Sequence, residues 1–417
     1  SPNKGGTSEA HGSPLGKDEV ARTKKQLGWP YEDDFHIPDE ALAHLRTAVD
    51  RGQAAESDWQ GRFAAWAEKF PDLAAEWRRA WTLELPDGWD ADLPQFKAGE
   101  KEATRVAGGK AMNAIAAKVP WLVGGDADLS TSTNTSLKAF TSFHGDTGEG
   151  RNFHFGVREH GMAGIGNGLA YHGGVRPFTA TFFTFSDYMR PSVRLAALNR
   201  LPVFFGWTHD SIGLGEDGPT HQPVEHLMSL RAMPGLTIFR PADATEAVEA
   251  WRAAMQYKDG PVGFVMARQK LPTLDRTKVA PAAGPQGVAQ GAYVLAEASG
   301  GAPKLLLLAT GSEVQLALDA RDKLEADGIP TRVVSMPSWE VFDRQPREVR
   351  ERVLPPAVAA RLSIEAGVTF GWSRYVGDRG GSVGVDRYGA SAPGPVVQRE
   401  LGLSVDNVVA KAKALVG

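Results

Sequence analysis

The segment RPFTATFFTFSDYMR (176–190) passes from a short apolar run directly into a helix-like pattern, and this change of pattern decides the fold class. Similar apolar runs bounded by Gly or Pro occur on both sides of it: WLVGG (121–125), LPVFFGW (201–207), LTIFRPA (236–242) and PVGFVMAR (261–268). Helix candidates lie between the runs at 102–118, 158–172, 183–199 and 244–257. Alternation of this kind predicts βαβ units and a parallel sheet covered by helices on both faces. Ligands bind such sheets beyond the carboxyl ends of the strands.

A second set of alternating elements follows residues 276–303, which are rich in Ala, Gly and Pro and are predicted to be a linker. KLLLLAT (304–310) precedes a helix predicted from Ser312 to Asp327, with Ser312 as its N-cap. Further strands are predicted at TRVVSM (331–336), RLSIEA (361–366) and SVGVDRY (382–388), before a capped C-terminal helix at 404–416. The expected fold class is therefore α/β, with two consecutive parallel, mixed-edge sheet domains flanked by helices, at 98–275 and 304–417.

Residues 1–97 do not show the pattern of an independent domain. Helices are predicted at Lys17–Leu27 and from Pro38-Asp39 onward. A third pattern is a stripe of four aromatic residues on one helical face: Trp59, Phe63, Trp66 and Phe70. We expect this stripe to pack against a neighbouring domain, and residues 83–94 to form a Pro/Asp-rich linker.

Composition excludes several classes of function. The chain has 417 residues, a net charge of -4, 42% hydrophobic and 23% charged residues, as ordinary globular proteins do. Nothing in this balance indicates a nucleic-acid or membrane surface. The chain has 0 cysteines, which excludes disulfides and thiolate chemistry and fits a reducing, cytoplasmic location. No apolar run approaches the ~18 residues of a transmembrane helix, and no signal peptide is recognisable.

Two glycine-rich segments carry most of the chemically active side chains. GLGEDGPTHQPVE (213–225) lies shortly after a predicted strand and contains Asp217 and His221, with His209 just before it. HFGVREHGM (154–162) carries Glu159. Imidazoles that are neutral near the operating pH can hold and move hydroxyl protons. A single histidine in a loop, or a glutamate at a helix start, would be unremarkable; the combination suits carbanion chemistry on a bound cofactor.

These segments resemble the pyrimidine-binding half of transketolases, the thiamine-diphosphate enzymes that move two-carbon ketol units between sugar phosphates. The resemblance runs along essentially the whole chain. It implies that Glu159, in a GVRE pattern, is the acid that shares a proton with the cofactor's pyrimidine in an apolar site. It also implies cofactor contacts for three aromatic residues and one acid: Phe182, Phe185, Tyr188 and Asp128.

The resemblance also implies a substrate site. His221 and His209 would be catalytic, with His221 at the donor carbonyl or C1 hydroxyl and His209 at substrate hydroxyls or phosphate. Asp217 would bind the C2 hydroxyl of the acceptor. Phosphate and donor contacts are implied for Arg105, Arg268, Ser132 and His11. The sequence ADLSTSTN (127–134) around Ser132 departs from the ADLxxSN of the family, which loosens that assignment.

The family's site for the diphosphate and Mg²⁺ has a GDG signature followed further on by an Asn, which supply hard oxygen ligands. GDAD (125–128) and GDTG (145–148) lack the third glycine and this context. We therefore expect no metal ligands in this chain, absence of the N-terminal diphosphate-binding domain, and residues 1–97 as its remnant and linker. Thiamine diphosphate and Mg²⁺ would serve the complete enzyme, and this chain alone would bind neither well and be inactive.

The family's active site lies between two subunits, so a homodimer acting on sugar phosphates is implied. The donor would be xylulose 5-phosphate and the acceptors ribose 5-phosphate or erythrose 4-phosphate, in the pentose phosphate pathway. Three explanations of the chain stay open: a truncated or partly ordered transketolase, one half of a split enzyme, or a non-catalytic transketolase-like binding protein. The full set of Glu159, His209, Asp217 and His221 speaks against the third.

Among related enzymes, the β chains of 2-oxoacid dehydrogenases would lack the two-histidine loop formed by His209 and GEDGPTHQ (215–222). Deoxyxylulose phosphate synthases usually carry a different lead-in to DGPTH. Dihydroxyacetone synthase is the closer relative, and the sequence separates it poorly from transketolase.

Overall fold

The computed structural model describes residues 1–279 and 285–417 and divides the chain into two compact units, Ser1–Ala75 and Glu76–Gly417. The first unit is helical and contains α1 (Glu9–Gly12), α2 (Lys17–Gln26), α3 (Asp39–Lys69) and the first residues of α4 (Pro71–Thr82). The predicted second helix and the first three residues of the aromatic stripe belong to one continuous α3, and Phe70 is its C-cap. Rings of the stripe contact one another along it, with centroids 5.2 Å apart for Trp59 and Phe63. Their packing against a neighbouring domain stays a prediction.

The second unit begins with the predicted parallel sheet. Its elements, in chain order, are β1 (Lys101–Glu102), α5 (Thr104–Lys118), β2 (Leu122–Asp126), α6 (Ser130–Thr133), β3 (Asn152–His154), α7 (Glu159–His172), β4 (Arg176–Phe182), α8 (Ser186–Leu198), β5 (Phe204–Thr208), α9 (His226–Arg231), β6 (Thr237–Phe239), α10 (Ala244–Gln256), β7 (Val262–Met266) and β8 (Leu271–Pro272). Six of these strands pair in parallel in the order β3-β2-β4-β5-β7-β6. All five predicted strands are present.

The middle strands of this sheet are buried along their whole length, as a parallel sheet covered on both faces requires. Phe204, Phe205 and Trp207 of β5 are each 0% exposed, so successive side chains are buried on opposite faces. The short strands β1 and β8 form a separate antiparallel pair. Because helices cover both faces of the sheet, the loops that follow the carboxyl ends of the strands are the accessible part of it.

A second sheet follows in the same unit. Its elements are β9 (Tyr293–Ala296), β10 (Leu305–Ala309), α11 (Glu313–Ala326), β11 (Thr331–Ser335), α12 (Trp339–Asp343), α13 (Arg347–Val353), β12 (Arg361–Ile364), α14 (Ser373–Val376), β13 (Gly381–Val383), α15 (Gly394–Glu400) and α16 (Val405–Val416). The strand order is β13-β12-β10-β11-β9, parallel except for the antiparallel edge strand β9. The expectation of a mixed edge is confirmed.

Three local predictions need correction. Ser312 is not a side-chain cap, because its backbone is already helical and its hydroxyl donates to Glu313 Oε1 at 2.6 Å. The segment 83–94 is packed, with Trp89 and Leu93 buried in the main core. The predicted linker 276–303 contains strand β9 (Tyr293–Ala296), which belongs to the second sheet. Residues 280–284 of this segment lie outside the described residues. The predicted cap of α16 is confirmed: Ser404 Oγ accepts from the Asn407 N–H at 3.3 Å.

Among the helices of the described ranges, none combines the length and the apolar character needed to cross a lipid bilayer.

Candidate active site

Predicted site residues follow the carboxyl ends of neighbouring strands in the first sheet. Glu159 comes after β3, Phe185 after β4, His209 after β5 and Arg268 after β7. Because these strands are parallel, their carboxyl ends meet at one edge of the sheet. The fold therefore gathers residues that are up to about a hundred positions apart in the chain, as the alternating pattern predicts.

A chain of aromatic rings forms the centre of this edge. The ring centroid of Phe182 lies 3.8 Å from the ring centroid of His209 and 5.9 Å from that of Phe185. His221 meets Phe185 edge to face at 5.4 Å, and it also lies 6.2 Å from Phe182. Tyr188 is 6.1 Å from Phe185 and 65% exposed, so it forms the outer end of the group. The two histidines and two phenylalanines predicted for the site are thus in mutual contact.

His209 has a constrained position within this group. Its φ of 62° lies in the left-handed region, which non-glycine residues rarely adopt. The side chain is buried, and its Nδ1 lies 2.9 Å from Thr208 Oγ1. Burial, together with the charges of Arg105, Arg268 and His221, lowers the pKa of His209 to about 3. His209 is therefore a neutral imidazole at physiological pH.

Glu159 is the first residue of α7 and is buried, with 7% of its surface exposed. The hydroxyl of Thr181 donates to its Oε1 at 3.4 Å. Thr181 precedes Phe182 at the end of β4, so the carboxyl group is held against the strand that carries the ring group. Sequence reasoning missed Thr181; a hydroxyl residue at the carboxyl end of an apolar strand was the available signal.

Two arginines bring positive charge to the same edge. Arg105 is half-buried at the start of α5 and donates to the backbone carbonyl of Ser132. Burial lowers the pKa of Arg105, and the nearby charge of Arg268 acts in the same direction. Both guanidinium groups also act electrostatically on His209. Arg105 and Arg268 therefore lie near His209, and Ser132 is held to Arg105 through its carbonyl; the phosphate contacts assigned to these three residues stay predictions.

Asp128 occupies an exposed position in the loop after β2, with a left-handed φ of 66°. The turn is held by a residue that sequence reasoning missed, the buried Asp126. Its carboxylate accepts from the Leu129 N–H at 2.6 Å and from Thr135 Oγ1 at 3.2 Å. Burial raises the pKa of Asp126. An acid that directly ends an apolar strand was the signal for it.

The remaining two predicted residues lie outside this group of contacts. Asp217 is exposed on the loop after β5, between Gly215 and Gly218, which both have positive φ. His11 is exposed in α1 of the first unit. The substrate contacts assigned to Asp217 and His11 stay predictions.

Together the fold and the site define an α/β protein in which a buried glutamate, two histidines and a group of aromatic rings follow the carboxyl ends of strands in a parallel sheet. Three family models match the chain: "Transketolase, thiamine diphosphate binding domain" at 1–86, "Transketolase, pyrimidine binding domain" at 100–273 and "Transketolase-like TK C-terminal domain" at 291–404. The chain is 51% identical over its full length to the transketolase of Geobacillus stearothermophilus and covers 62% of it. It is 47% identical to the chloroplastic transketolase of Craterostigma plantagineum, matching in full and covering 79% of that protein. The chain belongs to the transketolase family.

Solved structures agree with this assignment. The transketolase of Leishmania mexicana superposes with a TM-score of 0.91 and 38% identity, over 99% of this chain and 60% of that one. A transketolase of Pichia stipitis in complex with sedoheptulose 7-phosphate superposes with a TM-score of 0.89 and 36% sequence identity. The match covers 97% of this chain and 59% of that one. A split-gene transketolase, described as an inactive β4 tetramer, superposes with a TM-score of 0.61 and 27% sequence identity. The match covers 75% of this chain and 98% of that one.

One major expectation is wrong. The diphosphate-binding domain is not absent, since residues 1–86 match the family model for it. A GDG signature is a single local motif, so its absence does not exclude the domain. The family model matches residues 1–86 as a whole segment. The companion expectations, that the chain is truncated, inactive and unable to bind thiamine diphosphate or Mg²⁺, therefore lose their support.

Proposed function

We propose that this chain catalyses, as a transketolase, the reversible transfer of a two-carbon ketol unit from a ketose phosphate to an aldose phosphate. The observation that carries the proposal is the buried Glu159, which bonds to Thr181 directly before Phe182, the ring that packs on the neutral His209. A buried acid at the end of the strand that carries these rings supports proton handling on an aromatic cofactor. Family membership and the match of all three domain models support it.

The residues present fit thiamine diphosphate. Phe182 and Phe185 offer apolar ring faces to an aminopyrimidine. The carboxyl group of Glu159 is buried and has a long contact of 3.4 Å with Thr181, which leaves it free to bond with a ring nitrogen. When bound, thiamine diphosphate supplies the carbon nucleophile for ketol transfer. The domain at 1–86 supports binding of its diphosphate with a divalent cation.

The two histidines are arranged to act on sugar hydroxyls. Thr208 occupies Nδ1 of His209 at 2.9 Å, and Thr220 occupies Nδ1 of His221 at 3.0 Å. Each imidazole therefore has its Nε2 available for a substrate hydroxyl. Since His209 is neutral with a pKa of about 3, its role is to hydrogen-bond a substrate hydroxyl without taking up a charge.

Substrate phosphate is the proposed partner of Arg105 and Arg268. Planar guanidinium groups bind phosphate through paired hydrogen bonds and keep their charge in a partly buried site. We propose xylulose 5-phosphate as donor and ribose 5-phosphate or erythrose 4-phosphate as acceptors. The Pichia stipitis structure supports a sugar phosphate of this class, since it is a complex with sedoheptulose 7-phosphate. The proposed assembly is a homodimer.

A coupled experiment tests the proposal. Calorimetry with thiamine diphosphate and Mg²⁺ should show micromolar binding, and xylulose 5-phosphate with ribose 5-phosphate should then yield sedoheptulose 7-phosphate. A His221→Ala variant is the matched control and should lose transfer while still binding the cofactor. Cofactor binding without any ketol transfer by the unmodified protein would overturn the proposed activity. Transfer only to other aldehydes would favour the dihydroxyacetone synthase alternative.

A further inference from the structure

The loop that carries both histidines, residues 209–222, lies between the two sheets of the second unit. We call it the histidine loop. It begins at His209, whose left-handed φ of 62° costs free energy and persists only where neighbouring groups hold it. The next residue, Asp210, is buried, and its Oδ2 accepts from Arg240 Nε at 3.0 Å and from a terminal nitrogen of the same guanidinium at 2.7 Å. The start of the loop is therefore fixed to Arg240.

Arg240 is in turn held by the C-terminal domain. Its guanidinium donates to the Thr310 carbonyl at 3.0 Å and to Glu313 Oε2 at 2.5 Å. Its backbone N–H donates to Pro337 O at 2.8 Å, and its carbonyl accepts from Gly311 N–H at 3.1 Å. Arg240 is fully buried, and the adjacent carboxylates of Glu313 and Asp210 raise its pKa despite burial. One charged side chain thus joins the histidine loop to strand β10 and helix α11.

The surrounding backbone is shaped for this contact. Gly311 has a φ of 56°, and a Cβ built on it would lie 2.5 Å from Arg240 Cζ. Any side chain at position 311 would displace the guanidinium. Glu313 Oε2 also accepts from the Ala366 N–H at 2.9 Å, so the carboxylate is fixed from β12 as well.

The far end of the loop is fixed in the same way. Gln222, directly after His221, is buried, and its Nε2 donates to Gly215 O at 2.8 Å and to Ala390 O at 3.0 Å. Gly215 belongs to the loop itself, whereas Ala390 belongs to the C-terminal domain. A Cβ at Gly389 would lie 1.7 Å from Gln222 Oε1, so this contact also depends on a glycine.

We infer that the C-terminal domain positions the two histidines, with Arg240 and Gln222 as positioning residues that fix the two ends of the histidine loop. The catalytic consequence rests on the proposed ketol transfer, but the geometric part does not. The C-terminal domain thereby has a role in the reaction without contributing a group that touches substrate.

The test measures the imidazole of His209 directly. Histidine-selective ¹⁵N NMR, assigned with a His209→Asn variant, should show His209 neutral from pH 8 to pH 5 in the unmodified protein. Arg240→Lys keeps the charge but loses the planar fork that binds Asp210 and Glu313 together. In this variant the pKa of His209 should rise by about two units or more, from about 3 to above about 5, toward the ordinary value of about 6.5. Glu313→Gln is the milder substitute if Arg240→Lys does not fold.

The chain offers a matched control. Tyr293 also joins the two sheets through buried polar contacts, since its hydroxyl donates to Glu246 Oε1 at 2.7 Å and accepts from Arg276 at 2.8 Å. Both partners lie outside the histidine loop, so Tyr293→Phe should lower the melting temperature without changing the titration of His209. Arg105, Arg268 and His221, the charged or titratable groups that face His209, are unchanged in every variant.

Two outcomes are decisive. If His209 in Arg240→Lys remains neutral to pH 5 while the melting temperature falls as in Tyr293→Phe, Arg240 only holds the sheets together and the inference is wrong. If the titration shifts, ketol transfer by Arg240→Lys should also fall by about 10- to 100-fold in kcat through misplacement of the loop. If the titration of His209 shifts in Arg240→Lys but the unmodified protein shows no ketol transfer at all, the positioning role is supported and only the proposed function is refuted.

Discussion

Glu159 places a carboxyl group in a buried position with few partners. It is the first residue of α7, and only 7% of its surface is exposed. A buried carboxyl group needs hydrogen-bond partners. Thr181 holds one of its oxygens at 3.4 Å, too long to satisfy a buried carboxylate by itself. A ligand nitrogen at this position would supply the missing partner, which is why Glu159 is the first residue to test.

Replacing Glu159 with Gln keeps the shape of the side chain and removes the exchangeable acid. We expect kcat for ketol transfer to fall by about 10²- to 10⁴-fold, the usual contribution of a positioned acid or base. Steady-state kinetics with xylulose 5-phosphate and ribose 5-phosphate measures the effect. Glu149→Gln, at an exposed glutamate in the loop before β3, is the control and should retain full turnover. Turnover of Glu159→Gln within a few-fold of the unmodified protein would remove the assigned role.

The buried imidazole of His209 also has a consequence for stability. Its pKa is about 3 in the folded chain and near 6.5 when unfolded, so between these values the unfolded chain binds one proton more. Lowering the pH from 6.5 toward 3 therefore favours unfolding, by up to about 1.4 kcal/mol per pH unit. Above pH 6.5 this contribution is constant.

A His209→Asn variant should lack this pH dependence. Between pH 7 and pH 5 the unmodified protein should lose about 2 kcal/mol more free energy of unfolding than the variant does. Urea denaturation followed by circular dichroism at the two pH values measures the difference. Parallel curves for the two proteins would show that His209 titrates normally in the folded state, contrary to its buried position.

At the scale of single elements, buried arginines complete the ends of helices. Arg176 at the start of β4 is 1% exposed, and its guanidinium lies 4.2 Å from the Phe204 ring. It donates to the carbonyls of Ala254 and Met255 at 3.0 and 2.6 Å, and also to the carbonyl of Tyr257. These carbonyls lie where α10 ends and the regular i+4 donors run out; that of Ala254 also accepts from the Tyr257 N–H at 3.1 Å. Burial lowers the pKa of Arg176 to about 9, which still leaves it charged at neutral pH.

Arg176→Met should remove the side-chain donor from the carbonyls of Met255 and Tyr257, whereas the carbonyl of Ala254 keeps the Tyr257 N–H. We expect a loss of about 2–4 kcal/mol in the free energy of unfolding, since each buried acceptor without a partner costs about 1–3 kcal/mol. Chemical denaturation provides the measurement. Arg379→Met, at an exposed arginine of the C-terminal domain, is the comparison and should change stability by less than about 0.5 kcal/mol. Equal effects of the two substitutions would show that Arg176 does not act as a cap.

Sequence patterns predicted the long elements well and the short ones poorly. The buried strands β4, β5 and β7 were predictable because continuous apolar runs bounded by Gly or Pro have few alternatives. Strand β3, at 152–154, was not predicted, since three residues with mixed burial carry no periodic signal. Ser312 failed as a cap because Glu313, its immediate neighbour, takes its hydroxyl. Such competition between neighbouring polar groups depends on side-chain geometry that no spacing rule contains.

The site was predictable where it depends on residues that follow strands, such as His209 and Glu159. The residues that hold the histidine loop in place were not predictable. Arg240 and Asp210 are ordinary charged residues in the sequence, and they meet only because β5 and β6 lie in one sheet. The error about the first 86 residues has the same origin. A single missing motif was given more weight than the pattern of the entire segment.

At the scale of the whole molecule, the helices that cover the first sheet expose an apolar surface. Ile165 of α7, with Leu195 and Leu198 of α8, are 51%, 48% and 66% exposed, and the two helices pack against each other. Exposed apolar side chains on adjacent helices are typical of surfaces that another protein covers. Tyr188 of the ring group lies on the same α8. A second copy of the chain on this surface would therefore bring its own residues close to the proposed active site.

We expect the protein to be a dimer of its 44.7 kDa chain, and Leu198→Lys to weaken that dimer, because a lysine would have to be buried without a partner. Sedimentation equilibrium should show at least a tenfold increase in the dissociation constant, which corresponds to about 1.4 kcal/mol. Phe370→Lys, at an 80% exposed aromatic residue of the C-terminal domain, is the matched control and should leave the dimer intact. Ketol transfer should fall with dilution of Leu198→Lys, since the family's site needs both subunits. A monomeric unmodified protein with full activity, or a Leu198→Lys dimer of unchanged affinity, would contradict the assignment of this surface.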